Sequence, residues 1–87
     1  MVAAEMTTEV FQVQGPVVDK KWCFFTGQAA VNSDFVTFTA AGSGVTTIEG
    51  FYAMATDGTI ATGSWVGLKL TITNAAAKLW HGFIWGV

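Results

Sequence analysis

The chain holds one thiol, Cys23, and one imidazole, His81, and these two side chains are the first places to look for chemistry. A nucleophilic cysteine works as its thiolate, which needs a cationic or imidazole neighbour to lower the thiol pKa. Cys23 sits in WCFF between Trp22 and Phe24, and although Lys20 and Lys21 are close in sequence, apolar surroundings raise a thiol pKa. Cys23 therefore reads as a buried free thiol acting as a small hydrophobe. A general base at His81 would need a partner and an orienting group within hydrogen-bond reach, and a histidine set among leucine and phenylalanine reads instead as a packed side chain. Nothing in the spacing brings Cys23 and His81 together.

The carboxylates Glu5, Glu9, Asp19, Asp34, Glu49 and Asp57 are scattered, with no close pair of the kind that hydrolyses glycosides. One cysteine and one histidine do not make a structural zinc site. GSGVTT, residues 42–47, resembles a glycine-rich phosphate loop but lacks the third glycine and the following helix. Neither a catalytic centre nor a cofactor or metal is expected.

The elements that would position these residues are strands. Thr, Val, Phe and Trp dominate, and glycines punctuate. A first strand is expected over Thr8–Gln14, ended by Gly15 and Pro16, and a second over Lys20–Thr26 with apolar residues on both faces. VNSD makes a turn, a third strand covers Asp34–Thr39, AAGSG forms a loop, and a fourth strand begins near Val45. TDGT, residues 56–59, suits a type I′ hairpin, which sets Met54 opposite Ala61, Tyr52 opposite Gly63 and Gly50 opposite Trp65. Aromatic rings would then lie over cross-strand glycines.

From Ile60 the even positions alternate as a core face through Leu68, Leu70 and Ile72, with a bend or bulge expected at Gly63 or Gly67. If NAAA, residues 74–77, is a four-residue hairpin loop, Ile72 meets Leu79 and Leu70 meets His81. A helical turn capped by Asn74 is the other reading of that stretch. The hairpin puts Leu79, His81, Phe83 and Trp85 on the core face, while Trp80 and Ile84 point away from it, with Trp65 on the same side and Tyr52 nearby. The expected fold is all-β: a single domain of about six antiparallel strands in a meander, forming a small barrel or sandwich, with residues 1–8 as a flexible arm.

An 87-residue chain buries only about 60–65% of the surface its unfolded form exposes, so additional stabilisation is expected from disulfides, metal or oligomerisation. The first two lack ligands. The composition, 52% hydrophobic and 11% charged, leaves little charge to cover a monomer, against roughly 25% in an average soluble domain. A net charge of −2 with no arginine gives no nucleic-acid footprint. No apolar run approaches the roughly 18 residues of a membrane-spanning helix. The opening MVAAEMTTEV has no basic or continuous apolar segment of the kind a signal peptide carries, so an intracellular or virion location is expected.

A surface strip of Trp65, Trp80, Tyr52 and Ile84 should be covered, since each large apolar side chain left wet forgoes about 1.5–3 kcal/mol. Its cover is the chain's own first two strands, a second copy, or a sugar ring stacked on the indoles. The texture of SDFVTFTAAGSGVTTIEGFYAMATDGTIATGSW leading to WHGFIWGV, over about residues 31–87, resembles small β-rich structural or accessory proteins of tailed bacteriophage particles. That resemblance implies a homo-oligomeric particle component binding copies of itself or a neighbouring structural protein, and it transfers no site residue. The expected function is non-enzymatic assembly through aromatic faces. The alternative is a small carbohydrate-binding module using Trp65, Trp80 and Tyr52.

Overall fold

The computed structural model describes residues 2–12 and 20–87. Among them are seven strands: β1 (Thr7–Gln12), β2 (Lys21–Gln28), β3 (Phe35–Thr37), β4 (Ile48–Ala55), β5 (Gly63–Val66), β6 (Lys69–Ile72) and β7 (Leu79–Gly86). The one helical turn, α1 (Ala40–Ser43), replaces the loop expected at AAGSG. Thr39 caps it by accepting a 2.9 Å hydrogen bond from the Gly42 amide on Oγ1. Gly44, left-handed at φ 77°, ends it. The expected end of the first strand, Val13 and Gln14 with Gly15 and Pro16, and the carboxylate of Asp19 lie outside the described residues.

The strands form two antiparallel sheets, one ordered β1-β2-β7-β4 and the other β3-β6-β5. This is an all-β protein whose sheets stay open, so the sandwich alternative holds and the barrel does not. The strand order departs from a meander because β7 inserts between β2 and β4, and β6 between β3 and β5. Three local events produce the difference.

First, TDGT reverses the chain over three residues: the Ala55 amide donates to Thr59 O at 2.8 Å and the Gly58 amide to Ala55 O at 2.9 Å. Only Gly58 has positive φ, whereas a type I′ turn needs it at both central residues. Ala55 therefore faces Thr59, one position off the expected register, and pairing ends with Ala61 bonded to Ala53. Second, the long strand from Ile60 folds on itself at Gly67, φ 60°, so that Val66 faces Lys69 and β5 pairs with β6. Third, residues 74–77 carry the chain from one sheet to the other. Asn74 fixes this passage, accepting from the Thr62 amide and donating to Ile60 O, each at 3.0 Å.

A single core lies between the sheets. The four-stranded sheet supplies Cys23, Phe25, Ala53, Ala55, Trp80 and Ile84, and the three-stranded sheet supplies Val36, Leu70 and Ile72. Burial follows the period-two pleat: in β2, Cys23, Phe25 and Gly27 are buried, whereas Trp22 and Phe24 point outward. Only one face of β2 is covered, against the expectation of two. Part of the 1–8 segment is held in place: the Met6 amide donates to Phe35 O at 2.8 Å, and the Glu5 carboxylate accepts from the Thr37 amide at 2.9 Å. That contact covers the free edge of β3 before the chain crosses to the other sheet as β1.

Candidate functional site

Of the four aromatic or aliphatic candidates from the sequence, the structure places two in the core. Trp80 and Ile84 are fully buried at 0% exposure. The Trp80 indole N–H donates to Ala75 O at 3.0 Å, which satisfies its one polar group inside the sandwich. The faces of β7 are thus inverted relative to the expected hairpin: without an Ile72–Leu79 pairing, nothing holds Leu79, His81, Phe83 and Trp85 inward. The cover over Trp80 and Ile84 is the chain itself, so neither offers a surface to a partner or sugar. Trp65 and Tyr52 do not share a face either. Trp65 stands at the open edge between the sheets, its ring 6.1 Å from and edge-on to that of Phe51, which lies on the core side of β4. Tyr52 points out of the opposite side of β4, stacked on Phe83 at 5.9 Å.

The outer face of the four-stranded sheet is the feature that stands out. Register aligns Phe11 with Phe24, Phe24 with Phe83 and Phe83 with Tyr52, which makes one aromatic row across all four strands. The row beside it aligns Trp22 with Trp85 and Trp85 with Gly50. Phe83 is the hub: its ring lies 5.3 Å from Trp22, 5.8 Å from Phe24 and 5.8 Å from Trp85. Such pairs add about 0.5–1.5 kcal/mol each beyond area burial, which stiffens the surface. Phe11 remains 58% exposed, Phe24 50% and Tyr52 43%, so the row is wet although Phe24 and Tyr52 both pack on Phe83. The Trp22 indole N–H, buried within this cluster, has no hydrogen-bond partner among the described residues.

The next row along the strands is more polar, aligning Glu9, Thr26, His81 and Met54. His81 is exposed on this outer face between Thr26 and Met54, rather than between Leu70 and Phe83. Cys23 points to the other side of the same sheet, buried and free, and burial pushes its thiol pKa up. The two therefore cannot act as a pair, and no carboxylate is His81's neighbour in register. Among the described residues, no group of three His, Cys, Asp or Glu side chains could hold a metal ion. The amides of GSGVTT are used internally, with Gly42 bonded to Thr39 and Val45 to Ser43 Oγ at 3.1 Å.

Asp34 and Asp57 are structural. Asp34 is buried and accepts from the amides of Ala4, Ala30 and Val31 at 2.9, 2.7 and 3.1 Å. Those bonds, Ala30 foremost, hold its pKa below the ordinary value. Asp57 accepts from Lys78 Nζ at 2.7 Å and from the Thr59 amide at 3.0 Å, which also lowers its pKa.

The outer face of the second sheet is different in kind. Thr37, Ser64, Thr71 and Lys69 line it together with Val66, which is 81% exposed, and its one aromatic ring, Phe35, has the Lys69 ammonium 4.1 Å above its centroid. The molecule is a two-faced β-sandwich, with aromatic rings concentrated on one outer face and a mixed, mostly polar set of side chains on the other. No protein-family model, curated protein or solved structure matches the chain.

The sequence reasoning missed Phe11, Trp22, Phe24, Phe83 and Trp85 as surface residues. A signal was present: W-x-F at 22–24 and F-x-W at 83–85 are mirror images, as two antiparallel strands sharing an aromatic face require.

Proposed function

We propose that the protein is a non-enzymatic assembly module that forms a homo-oligomer through the outer face of its four-stranded sheet. The observation that carries this reading is the row Phe11–Phe24–Phe83–Tyr52, set against a second sheet whose outer face is mostly polar and holds a single aromatic ring. Interface cores are enriched in Trp, Tyr and Phe and depleted of charge, and the rows holding these rings carry no charged side chain among the described residues. The resemblance to small β-rich phage-particle proteins supplies a setting: a virion component whose partners are its own copies or a neighbouring structural protein.

Light scattering on a size-exclusion column, from low to high micromolar protein, tests the proposal. A mass above one chain that falls on dilution is expected, and Phe24→Lys should shift the equilibrium to the monomer with the fold intact. A single-chain mass at every concentration overturns the proposal. Sugar binding makes the opposite demand. It needs hydrogen-bonding side chains beside the stacked rings, and tryptophan fluorescence that responds to a glycan panel would favour it.

A further inference from the structure

We infer that the occupant of the aromatic face is a second copy of the same chain, laid face to face about a twofold axis that runs parallel to the strands between β2 and β7. This rests on the assembly reading and goes further by fixing the stoichiometry and geometry. A contact between identical faces uses up each face and closes at two copies, whereas rings and filaments need two different surfaces.

Area points to a weak, reversible pair. Strands spaced about 4.8 Å apart, with three outward residues on β1 and on β4 and four on β2 and on β7 at about 6.8 Å intervals, make a face on the order of 450 Å². Two such faces bury about 900 Å² together, the range of a pair that dissociates on dilution.

Polarity chooses the axis. The outer face has an aromatic row beside the row containing Glu9 and His81. A twofold axis along the strands exchanges β1 with β4 and β2 with β7, so each row lies on its own counterpart. Phe24 then meets the second copy's Phe83, Phe11 meets its Tyr52, and Glu9 stays on the rim over Met54. An axis across the strands through the aromatic row would instead set Thr26 over the second copy's Trp22 and His81 over its Trp85, burying polar side chains against indoles without partners. The three-stranded sheets face outward on both sides of the resulting four-layer stack.

The test uses the full chain and one charge exchange. Phe11 and Tyr52 lie on opposite edge strands, three strand spacings or about 14 Å apart within one copy, so charges placed there have little direct contact inside a monomer. Phe11→Lys and Tyr52→Glu should each weaken association about tenfold, and the double variant should associate more tightly than either because Lys meets Glu across the interface. Both positions are exposed, so folding is preserved, and circular dichroism checks it. The expected mass is that of two chains, each 9.2 kDa. A mass of three or more chains overturns the closed pair and leaves self-assembly standing, whereas a permanent monomer overturns both. A double variant weaker than either single one places like charges opposite each other and overturns the axis.

Discussion

The indole of Trp85 fills the space above Gly50, its cross-strand neighbour on β4, so that a side chain at residue 50 would project into the ring. The pairing of a large ring with a bare backbone is the device expected from the sequence, but with Trp85 as the ring in place of Trp65. Gly50→Ala should therefore displace Trp85 and disturb its contact with Trp22, whose centroid is 5.4 Å away. Overpacking of this kind costs about 1–3 kcal/mol. Urea unfolding reads the loss and near-ultraviolet circular dichroism reads the displaced indole; a variant unchanged in both would mean that the ring does not occupy that space.

Trp80 belongs to the fold rather than to an interface. Trp80→Ala removes the largest fully buried side chain and leaves Ala75 O without its donor. Large-to-small aromatic substitutions of this type cost about 3–5 kcal/mol, a large part of the stability of a small domain. The variant should be unfolded or nearly so at 37 °C, where Phe24→Lys stays folded. Equal stability of the two variants, measured by thermal denaturation, would contradict the burial of Trp80.

The all-β class was legible because composition and alternation report local backbone preference, as at Trp22–Phe25. Pairing was not, because it depends on where the chain changes sheet. At β7 both alternating sets are rich in apolar residues: Leu79, Phe83 and Trp85 on one side, Trp80 and Ile84 on the other. Period two then gives the alternation without the side, and the side follows from the partner strand. The length of NAAA permits a hairpin, whereas Asn74 binds Ile60 and Thr62 and directs the chain across the sandwich. The same event turned the expected surface strip into core and the expected core into surface. The presence of apolar side chains on both faces of β7 was thus legible, and which set lies in the core was not.

Asp34 makes acid stability the remaining check on the fold. Its two carboxylate oxygens gather the amides of Ala4, Ala30 and Val31, tying the N-terminal segment to the turn before β3. Because the folded pKa lies below the unfolded one, the folded state holds fewer protons and the contribution is complete above the unfolded value, about 3.9. It is lost as pH falls from there through the folded pKa. Asp34→Asn keeps one acceptor oxygen but sets an NH2 group against a backbone donor, so the variant should melt below the wild type at pH 7. The gap should narrow as the pH drops below about 4, because the wild-type carboxyl takes up a proton there and the asparagine does not change. Asp57, whose carboxyl is also held low by Lys78 and Thr59, is present in both proteins and cancels in the difference. Thermal denaturation by circular dichroism between neutral and strongly acidic pH measures the gap, and a gap that stays constant over that range would show that the three amide bonds do not favour the ionised form.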